Sequence, residues 1–409
     1  MGQIILDCIL PSSQQVRCLD RFSILDDDAE GEDGLVPFWL LLQNILTEKR
    51  NSPSGILEVL DTIWLNIVQT VLELPKHFPR GNIKSLNPGD CLRLSGTFLC
   101  TLSAPSWRDG FYGFIVWYSS SQRHPKAVKM YITALFVYFE RLHTLDAISD
   151  SQQIEYSLHA LGSDNIPTTK PWNEIPLRQA AVVNVPNYST LQQEFACQGS
   201  NGAVVVSANK DIGFGQSATQ EEIYVGNCPE ACPAILVTPT LGPAQVLVIT
   251  GARPILRIVG QRRAISWSIL EPSPKGGRML FKDVPEMDDI DENDGLLPDL
   301  KPKNPKRENL KAYTAFSAWE SGEGATVWSG IWGCGVFNGD PGVKMCSLWI
   351  AASLAGKELR ILCDPSQGEF STSFERAICQ FGRGSTVAEL KNRLDSIPKW
   401  TTRLETVKF

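Results

Sequence analysis

Gly202-Ala-Val-Val-Val-Ser-Ala-Asn209-Lys210-Asp-Ile-Gly213-Phe214-Gly215-Gln-Ser217-Ala-Thr-Gln220-Glu221-Glu222-Ile-Tyr-Val-Gly226 is the stretch around which this chain is organised. Ala203 to Val206 is an apolar, β-branched run of the kind that forms a strand buried on both faces. Asn209 and the pair Gly213/Gly215 end it, and glycine there lets a backbone turn sharply and approach a ligand closely. Ser217 with Gln220 three residues on reads as a capping box, which predicts a helix starting at Ser217. The unit is strand, glycine loop and helix N-terminus, with two adjacent carboxylates in the first turns of that helix. Backbone N–H groups in such a loop suit an anion.

Adjacent residues on a helix point about 100° apart, so Glu221 and Glu222 cannot flank a glycosidic bond as the usual carboxylate pair does. They can share one sugar, one carboxylate holding ribose hydroxyls and the other giving a proton to the leaving oxygen. A helix N-terminus favours the charged form of a carboxylate; a second carboxylate next door and a bound diphosphate favour the protonated form. Such a balance suits a general acid working near neutrality. By itself the triplet Gln220-Glu221-Glu222 reads more readily as an ordinary solvated helix start.

Two further motifs stand downstream: Glu308-Asn-Leu310-Lys311-Ala312-Tyr313-Thr-Ala-Phe316, and Gly330-Ile331-Trp332-Gly333-Cys334-Gly335-Val336-Phe337-Asn338-Gly339-Asp340. Gly333, Gly335 and Gly339 form a GxGxxxG run rather than the dinucleotide GxGxxG, and no helix-start residue is read where that fold wants one. Such a run can turn its N–H groups toward a diphosphate without net positive charge; a glycine-rich hairpin is the plainer alternative. Asn-Lys, a glycine loop, Gln-Glu-Glu and these two segments, in that order, resemble the poly(ADP-ribose) glycohydrolases, which are macrodomain enzymes. The resemblance runs in patches from about Leu92 to the C-terminus. It implies an α/β fold, a macrodomain-like mixed sheet with flanking helices, preceded by an all-helical accessory layer.

The resemblance also implies roles. Glu222 is the general acid and then the base that activates water, and Glu221 binds ribose hydroxyls. Asn209 helps hold the attacked ribose, with Gly213, Phe214, Gly215 and Gln220 near the ligand. Gly333, Cys334, Gly335, Val336, Phe337, Asn338 and Gly339 form the diphosphate loop, Phe337 covering a ribose. The implied reaction is hydrolysis of ribose–ribose O-glycosidic bonds of poly(ADP-ribose), releasing ADP-ribose. The alternatives are an ADP-ribose-binding macrodomain that cuts nothing, and a hydrolase of mono-ADP-ribosylated protein. Several positions depart from the family pattern. Val206 stands where an aspartate is usual, Phe214 replaces the middle glycine of a triplet, and the spacer to Gln220 is short. Ile331 stands where an asparagine is common, and Arg253 and Arg257 occupy a loop that is tyrosine-rich in animal members. Ordinary surface placement is the expectation for both arginines.

Length, at 409 residues, suggests about two to three domain-sized units. With 43% apolar and 20% charged residues, the composition is that of an ordinary globular protein rather than a disordered one. A net charge of −7 argues against direct DNA binding through a global field, so a polyanion must be held locally. Eleven irregularly spaced cysteines and four histidines make a metal cluster unexpected; no metal or other cofactor is expected, and buried free thiols suit a reducing compartment. Neither a secretory signal nor a membrane span is read, so the nucleus or cytoplasm is the expected location; a monomer is the expected state.

The organisation expected from the pattern is an N-terminal segment, partly loop (1–35), a helical accessory region (36–148) and a macrodomain-like catalytic domain (149–409). An exposed acidic and then basic insertion is expected at 283–304. Lys301 to Arg307 reads as a solvated basic loop or, less readily, as a nuclear localisation element.

Overall fold

The computed structural model describes residues 124–144, 154–162, 165–185, 201–213, 219–260, 264–271, 275–284, 297–301, 303–320, 324–335, 338–382 and 384–398. The segment 1–35 and most of the accessory region 36–148 lie outside them. In chain order the elements are α1 (Pro125–Thr144), β1 (Glu155–Ala160), β2 (Ala180–Asn184), β3 (Gly202–Ala208), α2 (Gln220–Asn227) and α3 (Pro233–Val237). Then come β4 (Gln245–Ala252), β5 (Leu256–Val259), β6 (Ser266–Ile269), β7 (Gly277–Asp283) and α4 (Lys303–Phe316). The series ends with β8 (Thr326–Ser329), α5 (Pro341–Leu354), β9 (Glu358–Cys363), α6 (Gly368–Phe381) and α7 (Val387–Asp395).

Seven strands form one sheet in the order β1-β4-β7-β3-β8-β9-β2, and β5 and β6 form a separate antiparallel pair. The pairings β7–β3, β3–β8, β8–β9 and β9–β2 are all parallel. Parallel strands need crossover connections, which helices supply here, and both faces of such a sheet are covered. That is why the interior strands read as continuous apolar runs. Ala203 to Val206 in β3 are at most 1% exposed, with Val204 opposite both Met279 of β7 and Trp328 of β8.

By internal contacts the described residues fall into two units. The first takes those within Met1–Tyr156, Asp211–Thr240 and Gly251–Pro274; the second takes those within Ser157–Lys210, Leu241–Thr250 and Lys275–Phe409. In the first, α1 presents Val128, Tyr131, Ile132 and Leu135 as buried residues and packs on α2. The approach is close at Gly226, where a β-carbon would lie 2.3 Å from the Tyr131 ring. The C-terminus of α2 is tied to β5 by Asn227, whose amide donates to the Leu256 carbonyl at 2.8 Å and accepts from the Leu256 N–H at 2.7 Å.

In the second unit, Ala312, Ala315 and Phe316 of α4 and Val343 and Leu348 of α5 meet sheet residues Val205, Leu280, Val327 and Ile361 in one core. Each large apolar side chain so buried contributes about 1.5–3 kcal/mol. Leu390 and Leu394 of α7 belong to the same core.

Three local expectations are corrected. The helix after the glycine turn starts at Gln220 with Thr219 as its cap, so the box pairs Thr219 with Glu222 rather than Ser217 with Gln220. Lys303 to Arg307 form the first turns of α4, and Arg307 is held in ion pairs, not in a solvated loop. Of the expected insertion 283–304, residues 285–296 and 302 are outside the described set; at its ends Asp283 closes β7 and Asp299 is buried, neither of them exposed.

Candidate active site

The carboxylate pair belongs to the first unit. Thr219 holds an extended backbone (φ −68°, ψ 168°), which turns the chain into α2 and leaves the first helical N–H groups without intrahelical acceptors. Glu222, at the third helical position, folds back so that its Oε2 accepts from the Thr219 N–H at 2.9 Å. Glu221 points elsewhere, as its place one residue earlier requires: its Oε1 accepts from the N–H of Gly213 at 3.1 Å, which fixes the glycine turn to the helix. Both side chains are nearly buried, Glu221 at 7% and Glu222 at 8% exposure, and both accept from backbone N–H groups. Gln220 is half-buried; Phe214 and Gly215 lie outside the described residues.

The same unit overturns the surface reading of Arg253. Its backbone N–H donates to Glu230 Oε2 at 2.8 Å, its Nε to Oε1 at 3.1 Å, and its Nη2 also contacts Oε1. Glu230 is fully buried. A buried carboxylate needs such a partner, and the planar guanidinium provides several donors at once. Arg257 is exposed, as expected.

The remaining predicted residues belong to the second unit. Asn209 follows β3 directly and is half-buried. Gly333 takes the left-handed backbone (φ 76°), and a β-carbon there would meet Val284 at 2.9 Å. Asn338 is left-handed too (φ 57°), a conformation asparagine tolerates. The turn bonds to itself: Trp332 N–H donates to the Gly330 carbonyl, Cys334 to Ile331, Asn338 to Gly335 and Gly339 to Gly333, while Gly333 N–H donates to Ser207 Oγ at 3.3 Å. Gly335 has open space where a β-carbon would sit. Val336 and Phe337 lie outside the described residues.

A helix follows this loop, as the helical pattern from Gly342 to Leu354 predicts. Asp340 caps α5, its Oδ1 accepting from the Val343 N–H at 2.9 Å, and Pro341 occupies the first helical turn. Pro in that turn and an aspartate cap are legible signals once the dinucleotide spacing is set aside.

Beneath the turn lies a buried ionic cluster that sequence reasoning missed. Lys344 sits 3.3 Å from Asp299 and 3.5 Å from Glu308, Arg307 reaches Glu308 at 3.0 Å and also pairs with Asp283, and Lys311 pairs with Asp283. Lys282 is fully buried with its Nζ 3.3 Å from the centre of the Trp332 ring. Lysine is rarely buried without a partner, so hydropathy assigns it to the surface, and only the tertiary contacts reveal it. Burial lowers Lys311 to about 7 and holds Lys282 well below its ordinary value.

A cavity of about 450 Å³ opens among Trp172, Leu300, Asn309, Leu310 and Leu394 of the second unit, and none of the expected site residues lines it. Among the described residues no cluster of His, Cys, Asp or Glu could hold a metal, and no helix is long and apolar enough to cross a membrane.

Residues 176–368 match the family model described as "Poly (ADP-ribose) glycohydrolase (PARG), Macro domain fold". That segment, just under half of the chain, is similar to the poly(ADP-ribose) glycohydrolase family. It contains β2 through β9, both carboxylates, Asn209 and the glycine turn. Poly(ADP-ribose) glycohydrolase 1 of Caenorhabditis elegans is 24% identical over 262 residues, covering 60% of this chain and 32% of that protein. Poly(ADP-ribose) glycohydrolase 2 of the same organism is 28% identical over 193 residues, covering 42% of this chain and 39% of that one. The matches thus span about a third to two fifths of these curated relatives. Among solved structures, poly(ADP-ribose) glycohydrolase from Deinococcus radiodurans in complex with ADP-ribose is 16% identical with a TM-score of 0.36, covering 51% of this chain and 88% of that one. The glycohydrolase from Thermomonospora curvata is 15% identical with a TM-score of 0.32, covering 48% of this chain and 73% of that one.

Proposed function

We propose that the chain hydrolyses the ribose–ribose O-glycosidic links of poly(ADP-ribose) and releases ADP-ribose. The observation that carries this reading is the pair Glu221/Glu222, nearly buried and held on backbone N–H groups at a helix start, within the segment that matches the family model. In the proposed reaction the anomeric C–O bond breaks as Glu222 gives its proton to the leaving ribose oxygen. Water then adds to the oxocarbenium-like carbon and returns a proton to Glu222. Glu221 holds ribose hydroxyls, and its bond to Gly213 fixes its direction before substrate arrives. Asn209 is assigned to the attacked ribose, and Gly213, Phe214, Gly215 and Gln220 to positions near the ligand.

The diphosphate is assigned to the turn containing Gly333, Cys334, Gly335, Val336, Phe337, Asn338 and Gly339. The N–H groups of Gly333, Cys334, Asn338 and Gly339 already donate within the unit, so the reading gives the anion to the Gly335 N–H and to positions 336 and 337. Buried free thiols at Cys228, Cys232 and Cys363 support a reducing compartment, nucleus or cytoplasm.

One observation favours the second reading, a macrodomain that binds ADP-ribose and cuts nothing. Glu222 is committed to the Thr219 N–H and must release that bond, or use its other oxygen, to protonate a leaving group. Incubating the chain with radiolabelled polymer decides the matter: free ADP-ribose is the outcome for the enzyme, and retained polymer with saturable binding is the outcome for the binder. Release from a singly modified protein but not from polymer would instead mark a mono-ADP-ribosyl hydrolase.

A further inference from the structure

We propose that binding of a diphosphate on the turn 332–335 is coupled to uptake of one proton from solvent by Lys282, the amine caged beneath it. The inference rests on the reading that this turn receives the diphosphate of ADP-ribose. Lys282 lies on β7 directly opposite Ser207 of β3, and Ser207 Oγ accepts the N–H of Gly333. The lysine therefore stands on the strand position paired with the side chain that anchors the turn. Its Nζ stands 3.3 Å from the centre of the Trp332 ring and 5.7 Å from that of Phe316, with no hydrogen-bond partner among the described residues.

The surrounding charges explain why that amine lacks a counter-ion. From α4, Arg307 and Lys311 take Asp283, and Arg307 also takes Glu308; from α5, Lys344 faces Glu308 and Asp299. Asp299 Oδ2 accepts the N–H of Asp340 besides. Among the described residues, Arg307, Lys311 and Lys344 pair with Asp283, Asp299 and Glu308, and Lys282 is the cation left without an ion pair. Burial is the main cause that disfavours its charged form. Glu308 opposes that effect, and Lys344, Lys311 and Arg307 add to it. Lys344 brings the cluster up to the turn, since β-carbons built on Gly333 and Gly339 would lie 3.5 and 2.7 Å from its Cε. A diphosphate resting on this turn supplies the negative charge the cluster lacks, through a medium that screens weakly.

The sign follows from linkage. The bound state holds the Lys282 proton more tightly than the free state, so binding takes up a proton. Affinity then falls as pH rises past the free amine's value, by about tenfold per pH unit until the bound amine also titrates. Calorimetric titration of the full chain with ADP-ribose between pH 6 and 9, in pairs of buffers with different ionisation enthalpies, reads this directly. The expected result is an apparent enthalpy that varies with the buffer at a slope approaching about one proton, and a matching loss of affinity toward high pH. In Lys282→Met, a neutral replacement of similar length, the buffer dependence and that pH dependence disappear while ADP-ribose still binds. Buffer-independent heats across this range in the unmodified chain, or uptake that persists in Lys282→Met, overturn the proposal and leave the functional reading standing. Absence of ADP-ribose binding overturns both.

Discussion

Among the described residues, a β-carbon on Gly335 would meet no atom within 4 Å, whereas one on Gly339 would lie 2.7 Å from the Gly333 carbonyl oxygen and from Lys344 Cε. The protein's own packing therefore demands glycine at 339 and not at 335. If Gly335 is the point where a diphosphate approaches the backbone, Gly335→Ala leaves the melting temperature within about 1 °C and weakens ADP-ribose binding by about tenfold or more. Gly339→Ala is expected to lower stability by about 1–3 kcal/mol whether or not ligand is present. Denaturation midpoints and ADP-ribose titrations on the two variants separate these effects; equal binding by Gly335→Ala and the unmodified chain would remove Gly335 from the site. Most residue roles were readable only as types in the sequence. That Glu222 caps its own helix, and that Arg253 reaches back 23 positions to Glu230, depends on backbone direction and tertiary approach, which spacing does not encode.

Among the elements, α2 carries the reading. Its start was misplaced because Ser217…Gln220 and Thr219…Glu222 both satisfy the capping-box pattern, and only the extended backbone at Thr219 chooses between them. The strands β3 and β4 were legible because burial on both faces gives an unbroken apolar run, as in Val204 to Val206 and Val246 to Ile249. The five-residue α3 was missed, being shorter than two turns and so without a period to read. Because Gly226 lies against the Tyr131 ring, Gly226→Ala forces α1 and α2 apart. The expected cost is about 1–3 kcal/mol, seen as a drop in the chemical denaturation midpoint. An unchanged midpoint would mean that the two helices are not held in that contact.

On the scale of the whole molecule, buried amines and thiols set the pH response. Burial lowers Lys311 to about 7, and burial together with the neighbouring Arg278 lowers Lys357 to about 8, both from an ordinary value of 10.5. Above these values the unfolded chain holds more protons on those lysines than the folded one, so stability rises with pH from about 7 to about 9. Beyond 9 the sign opposes. Burial holds the Cys346 and Cys363 thiols at about 12, so the unfolded chain loses those protons first and folding weakens. Urea midpoints at pH 7, 8, 9 and 10 should climb and then flatten or turn; a steady fall from pH 7 would contradict the buried-amine account.

The α/β class and the order of elements followed from alternating runs. The charged interior of the second unit did not, since neither hydropathy nor motif spacing places a lysine such as Lys282 inside.

The central claim concerns one side chain, and the rate of ADP-ribose release from poly(ADP-ribose) by Glu222→Gln tests it most directly. A loss of about 10²–10⁴-fold in rate with ADP-ribose binding retained is the predicted result, because the amide cannot give up a proton. Release at the unmodified chain's rate would contradict the assignment of Glu222 as the acid.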